Sequence, residues 1–382
     1  MWHGMMRGVA VKIVLCLVVA PLLLALGESG DAVKWSPPQS NCSRISGSDN
    51  RYRDACAAVN VLHAKYYHPL SPLLYDTKDF WRGGEALQAT LDFMAYTNDR
   101  TFVKVVQDIH LARPPVVLEV LADGSWDDSC WWILAYIQAH EVLGSTSPGH
   151  DYIGDARRVF DHVWEKAYSN NTCGGGVWWS SINKYKNAIT NELVIACAAR
   201  LYLAEQGAKY LDIATSMWSW FKSSGMMDAQ GLINDGLNID SANKSICRNN
   251  GQTTWTYNQG VILGAAAALF NATKKQNYID YAVKLTNAVL SSSLTDASGI
   301  LTESCGQTCN ENGKQFKGIF VRNLRYLVDT SALTPGVSGL TLTLTLNPYP
   351  NPNPNPNPNP NPNPGWPEEC GKTPMHQLSV PQ

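Results

Sequence analysis

The sequence predicts an all-α domain in which helical hairpins form a toroid. Helices that are apolar nearly all round are buried on every side. Four such stretches occur: "EALQATLDFMAY" (85–96), "CWWILAYIQAHEVL" (130–143), "ELVIACAARLYLA" (192–204) and "QGVILGAAAALF" (259–270). Amphipathic segments lie between them, at roughly 53–66, 151–168, 208–223 and 276–291, and strand signals are few. An inner ring of buried helices inside an outer ring of amphipathic ones is the architecture of stacked helix pairs.

Aromatic and polar residues gather where the buried helices begin. The preceding segments read "DTKDFWRGG", "GSWDD", "KNAITN" and "TTWTYN". If the inner helices run parallel, these groups converge on one face, where free N–H groups and positive dipole ends also point. The sequence therefore predicts one cleft rich in Trp, Tyr, Asn and Asp.

The ends of the chain differ from the middle. Arg7 and Lys12 precede a short apolar run (13–26) that predicts a cleaved secretory signal over residues 1–27. A transmembrane anchor is the alternative, but about 20 apolar residues are needed to span a bilayer. The helical domain is assigned to 28–345. Residues 346–382 hold an Asn-Pro repeat that predicts an extended, disordered linker and polar tail, without a lipid-anchor signal, which leaves membrane association open.

Sequons and cysteines favour a secreted or cell-wall location. The predicted glycosylation sites are Asn41, Asn170, Asn243 and Asn271. The predicted disulfides join Cys42 with Cys56 and Cys305 with Cys309, as in an oxidised extracellular protein. Cys130 and Cys197, inside apolar stretches, are interpreted as buried small hydrophobic residues. The cysteine spacing does not match a zinc site, and no metal is expected.

Composition excludes one class of partner. The 382 residues carry a formal net charge of -2, and only 16% are charged, which is not the signature of a nucleic-acid binder. The chain is rich in Trp (13) and Tyr (16), flat amphipathic residues that line either a core or a sugar-binding cleft.

The stretch "WDDSCWW" (126–132) places two carboxylates side by side at the start of a buried helix. Cleavage of a glycosidic bond takes two carboxyl groups, and adjacent residues place them about 5 Å apart, the separation of retaining enzymes. Asp127 and Asp128 are therefore candidate catalytic residues. The alternative is that they only start the helix, because Asp is favoured in a first turn.

Aromatic residues near this pair have two interpretations. Trp131 and Trp132 lie inside the apolar run and are assigned to the core. Trp178 and Trp179, in the glycine-rich "CGGGVWW", are predicted to be exposed surfaces for stacking on sugars. Trp126 is also counted among the substrate-binding candidates.

Three motifs in register carry a family resemblance over residues 55 to 330. "WDDSCWWILAYI", "CGGGVWWSSINKYKNAITNEL" and "WTYNQGVILGAAAAL" resemble glycoside hydrolase family 76, the endo-α-1,6-mannanases, including fungal cell-wall members. The resemblance implies an (α/α)6 barrel, with Asp127 as nucleophile and Asp128 as general acid/base. It further implies α-1,6-linked mannan or a mannose-containing glycan as substrate, hydrolysis or transfer to cell-wall glucan, and no cofactor.

Further substrate-binding candidates stand near the inner-helix starts. Asn191, Tyr257, Asn258 and Gln259 are predicted to bond sugar hydroxyls, with capping or inter-helix bonding as the alternative. Asp235, in "LINDGLN", is either a third acid beside the substrate or the Asp of a turn. Trp81 is predicted to lie in the cleft wall.

Two other functions remain open from the sequence. The same fold could bind cell-wall carbohydrate without cutting it, because a fold hosts many functions. An enzyme acting on uronides would need cations for the substrate carboxylates. The helix starts offer mainly Arg82, Lys184 and Lys186 for that purpose.

Overall fold

A computed structural model describes residues 36–44, 50–69, 80–122, 124–144 and 147–332. The predicted signal peptide, the Asn-Pro tail, Cys16 and Cys370 lie outside these ranges. Described residues from Pro38 onward fall within a single compact unit.

Helices account for most of the described residues. The α-helices are α1 Asn50–Tyr66, α2 Phe80–Thr97, α3 Val103–Ala112, α4 Pro115–Ala122, α5 Trp126–Leu143, α6 Tyr152–Ala167, α7 Ala188–Glu205, α8 Ala208–Ser223, α9 Thr256–Thr273, α10 Asn277–Leu290 and α11 Gly313–Ala332. Two short antiparallel strands, β1 Leu237–Ile239 and β2 Cys247–Asn249, pair with Asn238 opposite Arg248. All eight helices predicted from the sequence are present, whereas α3, α4 and α11 were not predicted.

The inner helices form a ring. Contacts run from α2 to α5, then to α7, α9 and α11 in turn, while α6, α8 and α10 pack outside them. Polar side chains join α11 back to α2: Arg322 contacts Glu85 at 2.8 Å, and the Tyr326 hydroxyl donates to Asp92 at 2.8 Å. Charged and hydroxyl groups therefore take part in closing the ring.

Glycines on α9 allow α11 to approach closely. A Cβ on Gly260 would lie 2.5 Å from the Cα of Phe320, and one on Gly264 would lie 2.0 Å from Oδ1 of Asn323. At Gly260 the backbone of α11 occupies the space that a side chain would need, so only glycine fits there. At Gly264 the obstructing group is the Asn323 side chain, which would have to move to admit a Cβ.

The inner helices begin at the same end of the ring, which we call the helix-start face. The starts of α5, α7 and α9 are each bonded to the segment that precedes the next inner helix: Trp126 N to Trp179 O (2.8 Å), Ala188 N to Asp235 O (2.7 Å) and Thr256 N to Glu303 Oε1 (3.1 Å). Arg82, in the first turn of α2, is bonded to Asn312 Oδ1 (2.7 Å), immediately before α11. The inner helices therefore run parallel, which is the condition for the predicted cleft.

The structure has both predicted disulfides, Cys42–Cys56 and Cys305–Cys309. A third, Cys173–Cys247, was not predicted because 74 residues separate its partners and no local spacing indicates the pair. Cys130 and Cys197 are free and buried, as interpreted from the sequence. Within the described ranges, no helix combines the length and apolar character needed to cross a membrane.

Candidate active site

The two adjacent aspartates lie in the first turn of α5. Ser125 precedes the helix in an extended conformation, and Asp127 and Asp128 are its first acidic residues. The first N–H groups of a helix have no partner within the helix, and one of them, Asp128 N, donates to Asp127 Oδ1 at 3.1 Å. The helix start thus orients one carboxyl with its own backbone.

Two further groups act on the Asp127 carboxyl. The Ser125 hydroxyl donates to Oδ1 at 2.7 Å, and the indole N–H of Trp179 faces the same carboxyl and lowers its pKa. Asp127 is buried, and burial raises its pKa from 3.8 to about 6, although each of these donors acts in the opposite direction. The result is a carboxyl that ionises near pH 6 inside a ring of donors.

Asp128 and Tyr257 complete the immediate surroundings. Asp128 is half-buried next to Asp127. Tyr257, at the start of α9, stacks on Phe316 with ring centroids 3.9 Å apart. Burial raises the pKa of Tyr257, and the charges of Asp127 and Asp235 raise it further, which places both acids close to this phenol.

Trp178 and Trp179, in the segment between α6 and α7, point in opposite directions. Trp179 is 39% exposed, as predicted, whereas Trp178 is only 8% exposed and lies under the ammonium of Lys186, 4.7 Å from its ring centre. Successive side chains of an extended segment point to opposite sides, so only one of the two reaches the cleft. The prediction that both are exposed is corrected for Trp178.

Asp235 belongs to a hydrogen-bonded network at the edge of the helix-start face. The Tyr185 hydroxyl donates to Asp235 Oδ2 at 2.5 Å and accepts from Asn250 Nδ2 at 2.8 Å. The backbone oxygen of Asp235 accepts from the first N–H of α7. The half-buried carboxyl is therefore held by Tyr185 and does not simply close a turn, and its charge raises the pKa of Tyr257.

Three amides predicted to bind sugar are fully buried. Asn191 accepts from Val177 N at 2.8 Å and donates to Val177 O at 3.1 Å, and Gln259 forms the same pair of bonds with Ile233. Asn258 has no exposed surface and no protein partner for its amide among the described residues. Asn191 and Gln259 therefore follow the alternative interpretation: each amide holds a loop backbone, so neither is free to bind a sugar.

Of the other tryptophans near the site, one is half-buried and three belong to the core. Trp81 is half-buried beside Trp131, with ring centroids 5.9 Å apart. Trp126 is 1% exposed, which corrects its assignment to the substrate surface. Trp131 and Trp132 belong to the core, as interpreted, and Trp132 Nε1 donates to Phe80 O at 2.9 Å.

Four residues near the site were not found from the sequence. Ser125 and Tyr185 orient acids, Lys186 binds a loop, and Glu303 accepts from Thr256 N at the start of α9. Glu303 is 47 residues from Thr256, whose N–H it accepts, so no local pattern could indicate it. Ser125, two residues before Asp127, is the only one of the four with a local signal, as the residue preceding a helix.

The four predicted glycosylation asparagines all lie at exposed positions: Asn41, Asn170, Asn243 and Asn271. Exposure is required for a glycan on a folded chain. Glycosylation itself remains a prediction.

Comparison with known proteins gives the same family that the motifs indicate. The sequence model described as Glycosyl hydrolase family 76 matches residues 51–346. Mannan endo-1,6-alpha-mannosidase DCW1 of Candida albicans is 27% identical over 274 residues, covering 67% of this chain and 59% of the relative. A putative mannan endo-1,6-alpha-mannosidase of Schizosaccharomyces pombe is 28% identical over 302 residues, covering 75% and 67%. The chain thus spans only about three fifths to two thirds of the length of these relatives.

Solved structures show the same fold. The GH76A alpha-1,6-mannanase from Salegentibacter sp. has a TM-score of 0.61 at 20% identity, covering 75% of this chain and 83% of that one. Dfg5 from Chaetomium thermophilum, crystallised with glucosamine, has a TM-score of 0.63 at 18% identity, covering 76% of each. The predicted all-α barrel is confirmed by these neighbours together with the helical ring.

Proposed function

The chain belongs to glycosyl hydrolase family 76, and on that premise we propose that it cleaves α-1,6-mannosidic bonds in mannan, with Asp127 and Asp128 as its catalytic pair. Its curated relatives are named mannan endo-1,6-alpha-mannosidases. Among the solved neighbours is an inactive variant of the Salegentibacter alpha-1,6-mannanase, in complex with alpha-1,6-mannotriose, in which two consecutive aspartates are changed to asparagine. An adjacent pair of aspartates stands here at the start of inner helix α5.

The observation that carries the proposal is the set of three donors around Asp127. Ser125 and the backbone of Asp128 donate to it, the indole N–H of Trp179 faces it, and hydrogen bonds of this kind favour the ionised carboxylate. An ionised, oriented carboxylate is what a nucleophile requires. The donors orient Asp127 and offset part of the effect of burial, and we assign it as the nucleophile, the role that the family resemblance implies; it is ionised above about pH 6.

Asp128 is assigned as the general acid/base. In the first step an Asp127 oxygen attacks the anomeric carbon, the glycosidic C–O bond breaks, and the departing oxygen takes the proton of Asp128. In the second step Asp128 takes a proton from the incoming hydroxyl, which attacks the anomeric carbon and releases Asp127. Two displacements retain the configuration of the sugar.

The incoming hydroxyl decides between hydrolysis and transfer. Water gives a shorter mannan, and a sugar hydroxyl gives a new glycosidic bond. We propose cell-wall glucan as the candidate acceptor in the second case, with the protein acting outside the cell. Both outcomes share the same covalent intermediate, so the residues of the pair have the same roles in each.

Four side chains are proposed to contact the sugar. Trp179 offers an exposed ring, and Trp81 and Tyr257 offer half-buried ones, while Asp235 presents a carboxyl beside Tyr257. Aromatic faces pack against sugar rings, and carboxylates accept from sugar hydroxyls. This combination suits a neutral sugar chain.

Two of the cations expected of a uronide enzyme are occupied elsewhere. Arg82 binds Asn312 through two N–H groups, and Lys186 is fully buried against backbone carbonyls. Of these three cations only Lys184 is exposed, and a single exposed lysine is a poor site for substrate carboxylates, which favours neutral mannan.

Product analysis of linear α-1,6-mannan tests the proposal. The full chain is incubated with mannan, alone and with glucan oligosaccharides, and products are read by mass spectrometry. We expect shorter mannosides or mannosyl-glucan hybrids, both lost in Asp127→Asn and Asp128→Asn and kept in Asp212→Asn, an exposed aspartate on outer helix α8. If the wild type binds mannan as well as the variants do and leaves it intact, the protein is a carbohydrate-binding module and the proposal fails.

A further inference from the structure

Lys186 is a lysine without any exposed surface. Lysine is almost never fully buried unless its charge has partners. The partners of Lys186 are backbone oxygens of one loop, residues 169–176. Its ammonium donates to Ser169 O (2.8 Å), Thr172 O (2.9 Å), Gly175 O (2.6 Å) and Gly176 O (3.2 Å).

Aromatic rings surround the same ammonium. It lies 4.7 Å from the ring centre of Trp178 and 5.9 Å from that of Trp220. Ring faces attract cations, so these contacts add to the four carbonyls. Burial lowers the pKa of Lys186 to about 7, while the carbonyl dipoles favour its charged form.

The outside of the loop is held by the Cys173–Cys247 disulfide, by the Trp220 indole, which donates to Cys173 O at 2.9 Å, and by Ser169 N, which donates to Gly176 O at 3.1 Å. Its interior is held by Lys186. Cys173, Gly174, Gly175 and Gly176 all have positive φ, at 56°, 66°, 150° and 89°. Consecutive residues in this region turn their carbonyls inward and form no regular ladder. The inward carbonyls need a cation or another donor at their centre, and Lys186 supplies it.

The loop leads directly to the catalytic pair. Trp179 follows it, bonded through its N–H to Tyr185 O at 2.8 Å and through its carbonyl to Trp126 N at 2.8 Å. The bond to Trp126 N holds Trp179 against the residue before Asp127, with its indole N–H facing the Asp127 carboxyl and lowering its pKa. Lys186 therefore fixes the segment before Trp179, and its neighbour Tyr185 fixes Trp179 itself.

We propose that Lys186 is a positioning residue of the active site: its ammonium holds loop 169–176 and thereby keeps the Trp179 indole in place as a donor to Asp127. The titratable groups near this part of the cleft are Asp128, Tyr257 and Asp235, and the ammonium bonds to none of them. Its influence on Asp127 has to pass through the loop. The catalytic meaning of this role rests on the proposed function, but the structural coupling does not.

The test compares Lys186→Met with Trp179→Phe, which removes the indole donor and leaves the loop intact. The pKa of Asp127 is measured in the full chain by NMR titration of ¹³C-labelled aspartate carboxyls, assigned with Asp127→Asn. Loss of one donor is expected to raise this pKa by about half a unit to one unit. We expect the same rise in both variants and no further rise in the double variant.

The acid limb of the kcat/KM profile on α-1,6-mannan should move upward by the same amount in both variants. A residue that serves only stability would lower the melting temperature without moving the pKa of Asp127. Lys186→Gln, which keeps N–H donors without the charge, is the second variant and should give a smaller shift.

Three results would overturn the proposal. They are an unchanged Asp127 pKa in a folded Lys186→Met, additive shifts in the double variant, or unfolding of both Lys186 variants, which would make Lys186 a determinant of the whole domain. If the wild type leaves mannan intact while the NMR coupling holds, the proposed function fails and the positioning role stands.

Discussion

The Ser125 hydroxyl donates to Oδ1 of Asp127 at 2.7 Å, from the residue that immediately precedes helix α5. A serine at this position ordinarily caps the helix by accepting from a backbone N–H. Here its side chain makes no such cap, and its hydrogen is directed to the acid. The Ser125 hydroxyl therefore donates to the Asp127 carboxyl and does not cap the helix.

Ser125→Ala should therefore raise the pKa of Asp127 above about 6, because the ionised form loses a donor. We expect kcat/KM on mannan to fall most at acidic pH and to approach the wild-type value as the pH rises. The pH profile of kcat/KM measures this. A uniform loss at every pH would show that the hydroxyl acts by another route.

Asp127→Asn should stabilise the protein at neutral pH. The folded pKa is raised from 3.8 to about 6, so ionising this group costs more in the folded state, and stability falls as the pH rises between these values. A shift of about two units corresponds to at most about 3 kcal/mol, which the neutral amide would recover.

Urea denaturation at pH 7.5 and at pH 3.5 separates this effect from a change in packing. We expect the variant to exceed the wild type in free energy of unfolding at the higher pH and to match it at the lower. An equal gain at both would mean that the charge of Asp127 is not the cause.

Gly176→Ala should disturb the active-site loop, and Gly174→Ala is its matched control. Both glycines have positive φ, so both substitutions strain the backbone by about 1 kcal/mol. A Cβ on Gly176 would lie 2.3 Å from the ring of Trp220, whereas one on Gly174 meets nothing within 4 Å. We expect about 1–3 kcal/mol of additional destabilisation for Gly176→Ala, together with a loss of kcat. Equal effects in the two variants would contradict this account of the loop.

Removal of the Cys173–Cys247 disulfide should cost more stability than removal of Cys305–Cys309. The first closes a separation of 74 residues and the second only 4. The chain-entropy relation gives about 4 kcal/mol and about 2 kcal/mol, respectively. Thermal unfolding of the two double-serine variants compares them. A larger loss for the short loop would show that strain or local contacts outweigh loop entropy.

The positions of the inner helices were predictable because a helix buried on every side has an almost continuously apolar sequence. The stretch 259–270 has hardly a polar residue after its first, and it lies within α9, Thr256–Thr273. Helix α11 was missed because only one of its faces is apolar and Arg322, on another, lies in the charged contact with α2. In the sequence, an arginine such as Arg322 that joins two helices of the ring cannot be distinguished from an arginine on the surface.

The acid pair was identified from the sequence, but its supporting residues were not. From the sequence, Lys186 was considered only as a cation for substrate carboxylates, and only the fold shows that its side chain is enclosed by a loop. Asn191 shows the converse, because an asparagine at a helix start suggests a ligand contact until its amide is found bonded to Val177. Long-range hydrogen bonds leave no periodic pattern in the sequence, so the partners of these side chains could not be predicted from it.

Covalent trapping tests the central claim most directly. A fluorinated α-mannosyl donor that forms the glycosyl-enzyme intermediate but releases it slowly is incubated with the full chain, and proteolytic peptides are examined by mass spectrometry. If Asp127 is the nucleophile, we expect one added mannosyl group on Asp127, absent in Asp127→Asn. Labelling of Asp128 instead, or mannan cleavage that proceeds without any labelled aspartate, would contradict it.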